Sequence, residues 1–395
     1  MANIIDYLKW RGDLDFKASP FNAVDNVILA FLSYLDMDEV FCGVRKGQRI
    51  PFSEAVNAYF ASHTEKEIKN ATPPFNEIPG LAKEASRTVR YGSLMVSDYI
   101  NIIDTEAEEQ MAAMLFWPDD SFVYAAFRGT DSTIVGWKED FALSYLTETP
   151  GQRHAVEFLN DVFSFSENVE NALPRLYVGG HSKGGNLAVY ASAFAEPSIR
   201  KRIHTVFSND GPGFREEIIH NPAYLEILPK IVSIIPESSL IGGLLDSHAD
   251  NQIIKSSENG IRQHNAMSWE VLGTNFVRAE RSVMGRFFDE SVHSWLSGIT
   301  DAERAAFTDS LFEVLEAGGA RTVEDLKSNP LRTAGEMIKA SLNMDSDKRR
   351  EFTDLVLQLM ASGANTIKEQ TQEAAFKTGR GKSRKMRRLP NPENR

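Results

Sequence analysis

The stretch GGHSKGGNLAVY, residues 179–190, sets a serine between glycines where one pattern of structure gives way to another. Upstream, Leu176, Tyr177 and Val178 read as a buried strand. Downstream, NLAVYASAFA (186–195) is Ala-rich and long enough for about three helical turns. Strand, tight turn and helix around G-x-S-x-G form a nucleophile elbow, here Gly180-His181-Ser182-Lys183-Gly184. The serine must sit in a strained turn for its Oγ to stand clear of the backbone. Side chains two residues to either side would meet the neighbouring strand and helix, and glycine removes that collision. A phosphate-binding loop fits less well. The P-loop pattern ends in Gly-Lys-Ser/Thr, whereas Gly184 is followed by Gly185 and Asn186, and G-x-G-x-x-G is missing. A turn selected only for tight packing is the competing reading, so the surroundings must decide.

The 395 residues suffice for one large decorated domain or for two or three domains. A hydrophobic fraction of 42% beside 25% charged residues is globular, so a packed core is expected. The single cysteine, Cys42, allows neither a disulfide framework nor a thiolate zinc cluster, which suits a reducing compartment. The start, MANIIDYLKWRGDLDF, lacks the features of a secretory signal, and apolar runs such as VILAF (27–31) fall far short of a membrane span. The expectation is a soluble cytoplasmic protein without a transmembrane segment. The net charge of −12 is uneven: residues 377–395 hold eight Lys/Arg against one Glu, and the remainder 35 basic against 54 acidic residues. So acidic a body argues against nucleic-acid binding over a wide face. The basic tail, with little to bury, reads as disordered, either a contact for anionic partners or a solubilising end.

Residues 19–36 carry Val24, Val27, Ile28, Phe31, Leu32 and Leu35 at helical spacing, and 52–69 and 76–90 read as further helices. MAAMLFW (111–117) and SFVYAAF (121–127) flank a Pro-Asp-Asp turn and read as paired strands. A helix is expected over 151–170, then strands at 204–210, 230–237 and 251–257, which makes an α/β sheet that is mostly parallel. Beyond residue 300 the strands stop; Thr300 and Glu303 match a capping box. The expected organisation is an N-terminal helical segment packed on the core (1–90), the core (91–299), a helical extension (300–376) and the basic tail (377–395).

FRGTDSTIVGWKED (127–140) resembles the strand-loop-Trp-Asp segment of the class 3 lipases, and GGHSKGGNLA resembles their serine elbow. The chain also resembles an uncharacterised bacterial family of α/β-hydrolase-like proteins, through Tyr7-Leu8-Lys9-Trp10, GHSKGGNLA, DGPGF (Asp210–Phe214) and Gln263-His264. The resemblance implies an α/β-hydrolase fold and a serine hydrolase acting on a small-molecule or lipid ester, with no cofactor. It assigns the oxyanion hole to Thr130 and Lys183. Of the five histidines beyond Ser182 and its neighbour, His204 opens a strand, His220 and His293 lie in helix-like stretches and His248 in a polar loop. His264 follows the last strand and a Glu-Asn-Gly turn, where the base of this fold belongs. The chain departs from the lipases at KIVSIIPESSLIG, which has no aspartate after the strand. Asp210 is the preferred acid, because it ends the strand after the elbow helix; Glu237 and Asp246 are alternatives, and Asp210 also reads as a turn residue. A non-catalytic binding or scaffolding protein on the same fold, and an acyltransferase or thioesterase using the same groups, are the rival functions.

Overall fold

The strand that leads into Ser182 lies within an eight-stranded sheet whose strands sit side by side in chain order. The computed structural model describes residues 1–69, 75–131, 133–163, 174–316, 339 and 344–358. The strands are β1 (Ile50–Pro51), β2 (Met95–Asp104), β3 (Glu109–Asp119), β4 (Phe122–Phe127), β5 (Arg175–His181), β6 (Ile203–Asn209), β7 (Ile231–Pro236) and β8 (Asn251–Ile254). Pairing is antiparallel from β1 to β4 and parallel from β4 to β8. The expected hairpin of β3 and β4 forms, and Asp119 caps its turn by accepting from the Ser121 N–H and hydroxyl. β2 is absent from the sequence reading. Its register shifts between Ser97 and Ile100, where Asp98 has φ 51°, and this bulge breaks the alternation that reveals a strand.

Chain-order parallel strands have a topological consequence. Right-handed crossovers that always step the same way place their helices on one face. That face carries Val123, Ala125, Phe127, Leu176, Val178 and Val206, packed with Phe158 and Leu159 of the helix Pro150–Phe163 and Leu187, Ala188 and Ala191 of the helix Lys183–Phe194. The other face, with Phe122, Tyr124, Ala126 and Phe207, has no crossover to cover it. The N-terminal helices close it, with Val24, Val27, Ile28 and Phe31 of Ala23–Leu32 and Leu81 and Ala82 of Ile78–Ala85. Because both faces are covered, every residue of β4 is buried and the strand reads as an unbroken apolar run. The result is an α/β-hydrolase fold.

At the C-terminal side, helices Val283–Ser297 and Asp301–Glu316 follow the sheet. The Thr300–Glu303 capping box forms in both directions. Leu355, in a helical stretch over 346–358, packs with Trp295 and Phe307. Most of the expected extension beyond 316, and the whole tail 377–395, lie outside the described residues. Among the described residues no helix is long and apolar enough to cross a membrane.

Candidate active site

Ser182 sits between β5 and the helix Lys183–Phe194 with φ 59° and ψ −134°. A non-glycine residue in this region costs of order 1–3 kcal/mol and persists only where its surroundings enforce it. Both flanking glycines are part of that enforcement. A Cβ on Gly180 would lie 2.2 Å from the Gly184 carbonyl oxygen, and one on Gly184 would lie 2.2 Å from the Phe127 carbonyl oxygen. Helix and neighbouring strand are therefore packed backbone to backbone at the turn. The Ser182 N–H donates to the Asn209 carbonyl at 3.0 Å, and the Ser182 carbonyl accepts from Gly185 at 2.8 Å.

Asp210 follows β6, fully buried, with φ 50°. Its N–H donates to the Ile234 carbonyl at 2.7 Å. The Ser239 hydroxyl and the Gly242 N–H (3.2 Å) both donate to Oδ1. Oδ2 lies 2.6 Å from Nδ1 of His264. The loop that aims Asp210 is held from the elbow helix. The Asn186 amide donates to the Gly213 carbonyl at 2.8 Å while accepting from Gln152 at 2.9 Å.

His264 closes a short 3₁₀ turn, Gly260–His264. Its neighbour Gln263 is buried and pins the turn, accepting from the Ser238 N–H and donating to the Glu258 carbonyl, both at 2.8 Å. The His264 ring lies 4.5 Å from the ring of His181 and 6.1 Å from Phe75. Among the described residues neither alternative acid bonds to His264. The Glu237 backbone bonds to Ile254 and Ser282, and Asp246 bridges Phe214 with its side chain 3.7 Å from His293. The structure brings Asp210, rather than either of these, to the imidazole.

Thr130 lies in the loop after β4, largely buried, and its hydroxyl donates to Asp140 at 2.6 Å. Burial pushes the Asp140 carboxyl up to about 6, with Lys183 pulling the other way. Lys183 follows Ser182 in the chain, but its ammonium runs down beneath the elbow. There it donates to the Gln110 carbonyl (2.7 Å) and to Glu139 (2.8 Å). Glu139 also accepts from the Gln110 and Gly151 N–H groups, so this carboxylate ties β3, the helix Pro150–Phe163 and the elbow together. The sequence reading took only the N–H of Lys183. It gave no role to Glu139, Asp140 or Asn186, although WKED (137–140) is a visible acidic cue beside the loop after β4.

Tyr34 is the other residue missed, a contribution of the N-terminal segment with its hydroxyl 3.0 Å from His181 Nδ1. The Asn26 amide exchanges hydrogen bonds with Asn209 (2.7 and 3.1 Å), and the Asn209 amide in turn donates to the Gly180 carbonyl (2.9 Å). The N-terminal segment thus reaches the elbow at two places.

A family model described as Mbeg1-like matches residues 85–313. No curated protein matches the chain. Similar solved structures include a lipase from Rhizopus microsporus var. chinensis (13% identity, 50% of this chain and 77% of that one, TM-score 0.33). They also include the M37 lipase (13%, 69% and 92%, 0.34) and a Rhizomucor miehei lipase propeptide complex (14%, 65% and 81%, 0.35).

Proposed function

The chain belongs to the Mbeg1-like family, and from that premise and the geometry around Ser182 we propose that it is a serine hydrolase that cleaves carboxylic esters. One observation carries the reading: a buried, positive-φ Asp210 lies 2.6 Å from Nδ1 of His264, at the same sheet edge as the strained Ser182. With its Nδ1 proton donated to the carboxylate, the imidazole presents an unprotonated Nε2. Ser182 Oγ attacks the ester carbonyl as Nε2 takes its proton. The imidazolium then protonates the leaving alcohol, and water repeats the sequence on the acyl-enzyme to release the acid. Asp210 fixes the tautomer and stabilises the imidazolium. The backbone N–H groups of Thr130 and Lys183 receive the tetrahedral oxyanion, each such donor being worth about 3 kcal/mol of barrier. The Thr130 hydroxyl, committed to Asp140, orients its loop. The substrate is a small-molecule or lipid ester.

The test is labelling with a fluorophosphonate probe alongside hydrolysis of p-nitrophenyl butyrate. Labelling at Ser182 is expected, with Ser182→Ala lowering kcat by ~10⁶ while circular dichroism and Tm stay as in the wild type. A wild-type protein that neither labels nor turns over supports the non-catalytic alternative and ends this reading.

A further inference from the structure

A path of one close contact and two hydrogen bonds links the loop after β4 to the backbone of His264 while bypassing the serine side chain. Gly129 packs directly against the Tyr34 hydroxyl. The Tyr34 hydroxyl lies 3.0 Å from His181 Nδ1, and His181 Nε2 lies 2.8 Å from the His264 carbonyl oxygen. The polarity of this path is forced. A carbonyl only accepts, so Nε2 of His181 carries the ring proton, Nδ1 is bare, and the tyrosine O–H points at it. Burial and the neighbouring His264 hold His181 well below its ordinary range, so the ring keeps this neutral form.

Space along the path is as tight as its polarity. A Cβ on Gly129 would lie 2.1 Å from Tyr34 Oη, 2.4 Å from the His181 carbonyl and 2.9 Å from Ser182 Cβ. Phe31 and Phe75 pack their rings 4.7 and 5.3 Å from that of His181. His264 is therefore tethered at both ends, its carbonyl to His181 and its Nδ1 to Asp210. Its turn needs tethers, since Ile261 and Arg262 beside it stand in solvent.

We propose that Tyr34 and His181 are positioning residues that set the gap between the oxyanion loop at Gly129-Thr130 and the imidazole of His264. On this proposal, which rests on the serine-hydrolase reading above, the N-terminal segment is part of the active site as well as the cover of the sheet. Neither residue touches substrate; both act through His264 and Gly129.

The experiment compares Tyr34→Phe, His181→Asn and His181→Gln with wild type. It uses p-nitrophenyl butyrate and expresses kcat per serine titrated with fluorophosphonate. Asn keeps an acceptor at the δ position and loses the ε donor; Gln reaches the ε position and restores a donor to the His264 carbonyl. A 1 Å displacement of a reacting group costs about 10²-fold, so His181→Asn is expected to lose ~100-fold in kcat and Tyr34→Phe ~10-fold, with KM within about twofold. His181→Gln is expected to recover to within about tenfold of wild type. A purely structural role would lower Tm and the titratable fraction while leaving kcat per titrated serine unchanged, and that result overturns the proposal. So does His181→Gln falling as far as His181→Asn. An inactive, unlabelled wild type instead removes the hydrolase reading, and this proposal with it. Wild-type activity with indifferent variants removes the proposal alone.

Discussion

Each face of the sheet is closed over a buried ion pair, and the two pairs do different work. On the N-terminal face Arg90 meets Asp25 at 2.5 and 2.7 Å, with neither side chain exposed. Their further partners are the hydroxyls of Tyr7 and Tyr91 and the carbonyls of Leu14, Asp15, Ser19 and Pro20. All of these belong to the first 91 residues, so this pair closes the cover upon itself. On the crossover face Lys183 meets Glu139 at 2.8 Å, and its partners are the backbone of β3 and of the helix that precedes β5. Lys183 adjoins Ser182 in the chain, and Glu139 adjoins Asp140, which holds Thr130. Among the described residues the first pair reaches the elbow only through its chain neighbour Asn26, bonded to Asn209, while the second is built into the turn around Ser182 itself. Burial alone therefore does not tell what an ion pair is for; what else its partners hold does.

The largest effect is expected at Asp210, which holds the imidazole of His264 directly. Asp210→Asn is expected to lower kcat by ~10⁴, because the amide offers Nδ1 a donor and turns the imidazole to the wrong tautomer. Glu237→Gln and Asp246→Asn, neither bonded to His264, should stay within about twofold of wild-type turnover. A collapse in Glu237→Gln beside an active Asp210→Asn would make Asp210 a turn residue only.

The two pairs can then be compared directly. Removing one partner of a buried pair strands the other charge, which costs about 3–5 kcal/mol. Asp25→Asn and Glu139→Gln should therefore lose similar stability by urea midpoint. Their kcat per titrated serine should differ: unchanged for Asp25→Asn, and lowered for Glu139→Gln because the elbow shifts against Thr130. Equal kcat in both variants would erase the distinction drawn between the pairs.

How far the sequence carries this picture depends on the distance over which each signal acts. The elbow is legible because its glycines solve a local collision within five residues. The parallel sheet is legible because β4 to β7 are short apolar runs separated by helical periods. His264 is legible as a candidate by exclusion, since the other downstream histidines sit at a strand start, in helix-like stretches or in a polar loop. Tyr34 is not legible. It lies 147 positions before its partner, on a stretch whose apolar spacing explains it completely as core. The Lys183 side chain is hidden for a related reason: a lysine in a turn reads as solvated, and only the close approach of Glu139 makes its burial tolerable. β2 escapes notice because its bulge interrupts the pattern by which strands are found.

Asp140 gives the smallest effect and the finest test, because it is a carboxyl on the crossover side buried without a cation bonded to it. Oδ2 accepts the Thr130 hydroxyl, and Oδ1 has no hydrogen-bond partner among the described residues. Burial is the main reason its pKa rises from 3.8 to about 6. Below pH 3.8 the folded and unfolded chains both hold this proton, and its contribution to stability is fully present. As pH rises toward 6 the unfolded chain releases the proton first, so it binds fewer protons than the native state and stability falls. Above the folded pKa the loss is complete, and a shift of roughly two pK units corresponds to about 3 kcal/mol. An amide in place of this carboxyl does not titrate. Asp140→Asn should therefore gain on the wild type by up to about 3 kcal/mol between pH 4 and pH 7, read as the difference in urea midpoints across that window. Parallel stability curves for the two proteins would mean that the carboxyl finds a partner on folding and titrates as an ordinary aspartate. The oxyanion loop would then rest on a charge held as securely as the one on Glu139.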